Sequence, residues 1–305
     1  MSETLIGATH PVGVVGIGLV GLAIVERLRA ARIKVLGHDI DAARREALRL
    51  AGGVVAAAAG DVLGACDNVV LALPDASLTA SVVRDALPSI ARGCRIVDCG
   101  SGDPDQAVAL AVRLAARGVR ILDAPLSGSS QQIRDGTAVM MIGGDRDDCD
   151  ALEPVLAAIA SRRFLLGPPG SGARAKLATN LLLGLNRAAL AEALVFAQAL
   201  ALDLPVFLDL VRATPAYSRA VDAKGRLMID GEFAPPQSRV RQHRKDLGLM
   251  LDAARRAGRV LPLTTLHARL LDAAIADGAG DLDNAAIIET IRHWPPPAAL
   301  EEPAP

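Results

Sequence analysis

Short apolar runs alternate with amphipathic stretches through the first half of this chain, and the alternation stops near Gly170. Residues 12–15, 34–38, 68–73, 95–98, 119–123, 139–142 and 164–166 read as buried strands, rich in Val, Ile and Leu and bounded by Gly, Pro or Asp. Between them, apolar positions at helical spacing predict a helix running through Leu28 and others over 77–90 and 105–117. Strand and helix in repeated alternation imply a parallel, doubly wound sheet, with ligands at the C-terminal ends of its strands. Pro74, Ser101 and Ser127 each fall just after such an end.

From Gly170 onward the strand signals cease. Residues 170–202 are rich in Ala and Leu and free of Pro, which predicts one long, mostly buried helix, with Ser171 placed to cap its start. The flanking Gly170 and Gly172 allow another backbone or a ligand to come close. Helical patterns follow at 205–212, 243–256, 262–277 and 284–292, punctuated by Pro and Gly. The expected organisation is an α/β nucleotide-binding domain over 1–168 and an all-helical domain over 169–294, joined by the long helix. A Pro/Ala/Glu tail over 295–305 is expected to be disordered.

Composition narrows the function without naming it. The 305 residues carry a net charge of -1, so no basic field exists to attract nucleic acid or an acidic membrane. Aromatic residues make up 2%, too few to build stacking platforms for bases. Cys66, Cys94, Cys99 and Cys149 are scattered without metal-ligand spacing, so free thiols are expected and no metal site. The start lacks the basic region of a secretory signal, and the apolar run 12–25 is too short to span a bilayer. A cytoplasmic protein is the expectation.

The candidate chemistry begins at Gly16-Ile17-Gly18-Leu19-Val20-Gly21, a GxGxxG between a strand and a helix, the context that a dinucleotide fingerprint requires. Gly16 would permit the tight turn, Gly18 the approach of a pyrophosphate, and Gly21 the packing of helix on strand. Asp39, at the end of the second strand, is placed to accept hydrogen bonds from the adenosine ribose. It favours NAD over NADP; Arg44 and Arg45 read as solvated charges on a helix face, with a swing toward a 2′-phosphate as the alternative. Leu73-Pro74 and Ser101 follow later strands and are further cofactor candidates. In the loop beginning at Asp123, the hydroxyls of Ser127 and Ser129 and the N–H of Gly128 are suited to a small carboxylate, or to an ordinary Ser/Gly turn. Lys176 and Asn180, four apart, share a face of the long helix, where polar groups among apolar neighbours need partners.

Taken together, GVVGIGLVG at the front, DAPLSGS at 123–129, GSGARAKLATN at 170–180 and KDLGL at 245–249 resemble the β-hydroxyacid dehydrogenase family. That family includes hydroxyisobutyrate dehydrogenase, tartronate semialdehyde reductase and glyoxylate reductase. The resemblance implies that Lys176 is the catalytic general acid/base and that Asn180 fixes the substrate. It also implies that Ser127 and Gly128 bind the substrate carboxylate, while Ser101 and Lys245 contact the nicotinamide cofactor. A bridging helix and homodimers or homotetramers are implied as well. Three positions depart from the family pattern and bear on substrate identity: Leu181 stands for a second Asn, Ser129 for a second Gly, and Gly100 for a hydroxyl residue.

Hydride transfer needs a group that takes the hydroxyl proton. A free lysine, with a pKa of about 10.4, is too weakly acidic to serve unless its surroundings depress it. The expected activity is an NAD(P)-dependent exchange of hydride with a small β-hydroxy acid or its semialdehyde. The competing readings are a catalytically silent nucleotide sensor and an imine-reducing relative.

Overall fold

A computed structural model describes residues 10–295. The N-terminal nine residues and most of the expected tail lie outside the described residues. Two compact units meet within a single helix, the first ending at Lys176 and the second beginning at Leu177. The sequence placed that boundary near 168, at the start of the helix rather than one turn inside it.

The first unit runs β1 (Val12–Val15), α1 (Leu19–Ala30), β2 (Val35–His38), α2 (Ala42–Leu50), β3 (Val54–Val55), α3 (Ala59–Ala65), β4 (Asn68–Leu71), α4 (Ala76–Ala86), β5 (Arg95–Asp98) and α5 (Pro104–Ala115). It continues through β6 (Arg120–Asp123), β7 (Leu126–Ser127), α6 (Ser130–Arg134), β8 (Val139–Ile142), α7 (Arg146–Ala151), α8 (Glu153–Ile159) and β9 (Arg162–Leu165). Six strands form a parallel sheet in the order β3-β2-β1-β4-β5-β6. All four residues of β1 are buried, as a central strand covered on both faces requires. Val12 pairs with Val35 on one side and Asn68 on the other. The strand order therefore reverses at β1/β4, and the crevice at their carboxyl ends is where such sheets bind ligands. Val14, Ile24, Leu28, Val70, Val97 and Leu122 are fully buried and belong to one packed cluster on this sheet. Acidic residues after the strands start the helices: Asp41, Asp75 and Asp103 accept from Ala43, Leu78 and Asp105 N–H at 2.8–2.9 Å.

The later strands do not extend this sheet, as the apolar pattern had implied. β7, β8 and β9 make a separate three-stranded sheet, with β7 antiparallel to β8 and β9 parallel to it. The two sheets touch through a bridge between Asp123 and Gly143, each N–H bonding the other's carbonyl. The segment after Asp123, read from sequence as loop, thus contains a two-residue strand.

Helix α9 spans Ser171–Ala199, and α10 (Leu204–Arg212), α11 (Arg219–Asp230), α12 (Val240–Arg256), α13 (Pro262–Ala276) and α14 (Ile287–Arg292) follow it with two 3-10 turns. Helix α11 gave no clear sequence signal, because its buried face is built around Lys224 and Gly225 as well as apolar residues. Lys224 Nζ reaches both oxygens of Asp283 at 2.8 and 2.9 Å. Burial alone would raise the Asp283 pKa, but Lys224 and the N–H groups of Ala285 and Gln237 outweigh it and hold the carboxyl below its usual range. Leu190, Leu194, Leu208, Met228, Leu247, Leu271 and Ile287 form the core of this unit.

The long helix is not mostly buried. Ala191 and Leu194 face the core while Leu182 and Phe196 are 59% and 64% exposed. An all-round apolar composition hides which side of a helix meets protein. By length and hydropathy alone α9 could cross a membrane, but it carries Lys176, Asn180, Arg187 and Glu192 and packs one face into the core.

Candidate active site

The turn after β1 is built as a nucleotide loop. Gly16 has φ +89°, and a Cβ there would lie 2.5 Å from Ala72 O, so glycine is required for the backbone to pass β4. A Cβ on Gly21 would collide with Gly16 O, which fixes this residue for packing helix on loop. Gly18 differs: a Cβ there would find nothing in the protein nearer than Arg44 Nη1 at 3.7 Å. Protein packing does not demand glycine at 18, whereas the close approach of a ligand backbone does. Gly18 is also the N-cap of α1, with no side chain capping it and no acidic residue in the first turn. The N–H groups that begin the helix, at Leu19, Val20 and Gly21, and the positive end of its dipole are therefore disposed toward an anion. These features fit a dinucleotide pyrophosphate.

Around the loop, some expected contacts prove structural. Ile17 is 2% exposed and its N–H donates to Asp39 Oδ2 at 2.7 Å, so neither its side chain nor its N–H is left for a nucleotide. Asp39 is 5% exposed, and its other oxygen accepts from Asp41 N–H at 2.9 Å. Its carboxylate clamps the glycine loop first, and only its remaining lone pairs could meet a ribose. Arg44 Nη1 stands 3.6 Å from Asp39 Oδ2, while Arg45 bonds the carbonyls of Asp39 and Ile40. A cation thus borders the same loop edge as the acid, so the preference for NAD drawn from Asp39 alone loses its force; NAD and NADP are both accommodated. Leu73 packs 3.1 Å from the Cβ position of Gly16, which brings the Leu73-Pro74 turn beside the loop.

At the ends of β5 and β6 lies a second set of groups. Asp98 and Asp123 are register partners on adjacent parallel strands. Together with Gly100, Ser101, Asp103, Pro125 and Ala173 they line a small pocket. Burial lifts the Asp98 carboxyl to about 6, opposed by the Gly100 N–H and assisted by the charge of Asp123. Asp123 is raised by burial too, against the N–H groups that it accepts.

Those N–H groups belong to the start of α9. Asp123 Oδ1 accepts from Gly170 N–H at 2.6 Å and Oδ2 from Ala173 N–H at 2.8 Å, with Gly172 N–H adding to the set. The cap of the long helix is therefore this carboxylate from β6, and Ser171 is the first helical residue rather than the cap. The glycines make the docking possible. A Cβ on Gly172 would meet Asp123 O and Met141 O, and one on Gly143 would meet Asp123 Oδ1 and the N–H groups of Ser171 and Gly172.

One turn into the helix, Lys176 Nζ donates to Leu126 O at 2.8 Å. Leu126 directly precedes Ser127 and Gly128. Gly128 has φ +146°, and a Cβ there would press on Ala138 and Gln132 at 3.2–3.3 Å, so the turn exposing its N–H needs glycine. Ser129 caps α6, its oxygen accepting from Gln132 N–H at 3.2 Å while Gln132 returns a bond to Ser129 N–H. Its hydroxyl hydrogen and one lone pair remain beyond that bond. The structure thus brings Lys176, Ser127, Gly128 and Ser129 together through one segment, and places Asn180 a helical turn beyond Lys176 on α9.

Lys245 is exposed on α12, in the second unit. Tyr217 donates to Asp222 at 2.5 Å and Arg241 forms a two-pronged pair with Asp281 at 3.0 Å, so both have protein partners. Sequence reasoning missed Asp123 as the anchor of α9, because its partners lie some fifty positions away; the only trace was an acid at a strand end preceding a glycine-flanked helix. Among the described residues no cluster of three or more His, Cys, Asp or Glu could hold a metal, and the four cysteines are buried and unpaired.

Comparison with known proteins covers nearly the whole chain. Residues 11–167 match the family model described as the NAD binding domain of 6-phosphogluconate dehydrogenase. Residues 170–291 match that described as NAD-binding of NADP-dependent 3-hydroxyisobutyrate dehydrogenase. L-threonate dehydrogenase of Cupriavidus necator is 30% identical, over 91% of this chain and 95% of its own length. 2-(Hydroxymethyl)glutarate dehydrogenase of Eubacterium barkeri is 29% identical, over 91% and 93%. Among solved structures, 3-hydroxyisobutyrate dehydrogenase of Mycobacterium tuberculosis with L-serine superposes with a TM-score of 0.85 at 26% identity, covering 93% of this chain and 99% of that one.

Proposed function

The chain belongs to the β-hydroxyacid dehydrogenase family, an NAD(P)-dependent group acting on small hydroxy acids, and on that premise we propose that Lys176 exchanges the proton of the substrate hydroxyl. The observation that carries the proposal is the hydrogen bond from Lys176 Nζ to Leu126 O, 2.8 Å long and one residue from the Ser127-Gly128 turn. That bond holds the amine beside the Ser127-Gly128 turn, and an amine in its neutral form carries the lone pair that a proton acceptor needs. The Ser127 hydroxyl and the Gly128 N–H take the substrate carboxylate, which fixes the reacting carbon relative to the amine. Asn180, with both donor and acceptor on its amide, aligns the hydroxyl from the next turn of α9.

When bound, the nicotinamide dinucleotide supplies the hydride acceptor or donor. Gly18 and the first N–H groups of α1 would hold its pyrophosphate, and Leu73, Pro74 and Ser101 would line the crevice beside it; a cofactor contact for Lys245 rests on the family resemblance alone. In oxidation Lys176 accepts the hydroxyl proton; in reduction it returns that proton to the carbonyl oxygen. The substrate we favour is a small polyol acid or a hydroxymethyl acid, as the names of the two relatives suggest. That the relatives are catalysts, and that Lys176 is present, supports this reading over a silent sensor or an imine reductase.

A homo-oligomer is part of the proposal. Leu182 and Phe196 are 59 and 64% exposed and with Ala178 and Ala189 fall along one stripe of α9, which Leu200, 56% exposed, extends just past the helix end; a second copy would cover this apolar strip. A reducing, cytoplasmic setting accords with four buried thiols.

The test is Lys176→Ala, assayed by nicotinamide absorbance with a panel of hydroxy acids and semialdehydes. Turnover is expected to fall by about three orders of magnitude or more, within what acid–base catalysis supplies, while cofactor affinity is retained. Turnover within tenfold of wild type would remove Lys176 from the mechanism.

A further inference from the structure

A second cleft opens at the outer edge of the six-stranded sheet, wholly within the first unit. It measures about 380 Å³, within the roughly 300–1,000 Å³ of small-molecule sites, and shares no lining residue with the pocket at Asp98 and Ser101. The cleft exists because β6 is the last strand of its sheet and its outer edge is bridged only at Asp123 and Gly143. Arg120 and Ala124 N–H bond β5-side carbonyls and Asp123 bonds Gly143, so by alternation Ile121 turns its N–H and carbonyl to the open edge. No described hydrogen bond takes up either group, and Ile121 lines the cleft.

The walls are mainly apolar. Val108, Ala111, Val112 and Ala115 stand at i, i+3, i+4 and i+7 of α5, so one stripe of that helix faces the cleft. Pro168 and Pro169, just before α9, line it as well. Val112 is 66% exposed, so a ligand lying along this stripe would remove apolar surface from water.

Four charged side chains border the cleft, and three of them are already matched. Arg120 pairs with Asp145 at 3.6 Å and Asp148 with Arg95 at 3.3 Å. The fourth, Arg174 in the first turn of α9, forms no ion pair or side-chain hydrogen bond among the described residues. Its Nη1 stands 3.5 Å from the Cβ position of Gly170, and Val108 Cγ2 stands 2.7 Å from the same point, so the unmatched cation borders the apolar stripe. Arg174 and Lys176 are two apart on the helix and therefore do not share a face.

We propose that this cleft binds a small monocarboxylic acid with an apolar body, its carboxylate on Arg174 and its body along the α5 stripe. A guanidinium without an acid of its own selects a planar carboxylate through charge-assisted hydrogen bonds. The apolar walls select against a bare inorganic anion, which has no body to bury, and the two matched ion pairs leave no partner for a second charge on the ligand.

Hexanoate is the probe, with hexanamide as its neutral counterpart, in isothermal titration calorimetry on the full-length protein. The expected Kd for hexanoate is about 1 mM, with hexanamide bound about tenfold more weakly or worse. Arg174→Leu should bring hexanoate level with the amide, and Val112→Asp should abolish its binding. Both positions are exposed, so the variants are expected to keep the wild-type melting midpoint. Ser127→Ala should leave the hexanoate Kd unchanged, because that turn belongs to the separate carboxylate site proposed above. The proposal is overturned if hexanoate does not bind, if acid and amide bind alike, or if binding survives Val112→Asp and is lost in Ser127→Ala.

Discussion

Asp123→Asn exchanges one oxygen for an NH2 group and removes the charge that fixes the start of α9. The wild-type carboxylate accepts from Gly170 N–H at 2.6 Å through one oxygen and from Ala173 N–H at 2.8 Å through the other. An amide has a single acceptor oxygen, so one of these N–H groups must face a donor. Hydrogen bonds to a charged group contribute roughly 1.5–3 kcal/mol each, and a buried N–H left without an acceptor costs about 1–3 kcal/mol. The expected loss is therefore about 2–4 kcal/mol, a drop of roughly 5–15 °C in the melting of a unit this size. The larger consequence is positional. Lys176 lies one turn past the clamp, and a misplacement of about 1 Å is worth roughly a hundredfold in rate. Steady-state assays well below the new midpoint should show kcat reduced about 100-fold, with cofactor Kd and substrate KM within a few-fold of wild type. Asp203→Asn is the control, because Asp203 caps α10 through Val206 N–H at 2.9 Å with no connection to the proposed base. If Asp123→Asn lost stability yet kept a wild-type kcat, the clamp would hold the fold and play no part in aligning the lysine.

Further outcomes follow from the same geometry. Gly18→Ala should fold with an unchanged midpoint, since the added Cβ meets nothing nearer than 3.7 Å, yet lose cofactor affinity by tenfold or more in a fluorescence titration; undiminished binding would dissociate Gly18 from the pyrophosphate. Phe196→Glu, at a position 64% exposed, should shift the sedimenting species toward monomer without unfolding it, and an unchanged mass would place the self-association surface elsewhere. For stability against pH, His243 and His267, buried beside the charge of Arg187, have folded values of about 3 and 4 against 6.5, so the unfolded chain binds more protons and stability is lost as pH falls below about 6.5. Asp98, at about 6 folded against 3.8, acts with the opposite sign over the overlapping window. Two histidines outweigh one aspartate, so urea midpoints should fall between pH 6 and pH 4 with a net slope of about 1.4 kcal/mol per pH unit, and a rise toward acid would contradict these burials.

What could be read from the sequence, and what could not, divides by the range of the interaction. The strand–glycine–helix unit at Val12 to Leu28 was legible because every determinant lies within twenty residues: β-branched burial, a turn that only glycine can make, and a helix following directly. Lys176 and Asn180 were legible for the same reason, as neighbours on one helix face. The second sheet was not, because β7 has two residues and pairs antiparallel, leaving too little pattern to distinguish it from a turn. The exposed strip of α9 was hidden by composition: Ala and Leu on every face give no sign of which face meets solvent.

The deepest omissions are the groups whose meaning depends on distant partners. Asp123 looked like the end of a strand, Arg187 like a charge on a long helix, and His243 and His267 like unrelated residues sixty to eighty positions beyond it. Only the fold shows that the 123–128 segment and the start of α9 work as one fixture. Its carboxylate sets the helix axis, its carbonyl at Leu126 sets the amine, and its turn at Ser127-Gly128 faces the group to be aligned. The three positions at which this chain departs from the family pattern, Leu181, Ser129 and Gly100, take part in none of these three contacts. On the proposed mechanism those positions bear on what a substrate meets, whereas the backbone and carboxylate contacts that hold the lysine pass through none of them. Substrate identity can therefore drift while the proton-exchanging geometry stays fixed, which is the physical reason that reaction class was easier to read here than substrate.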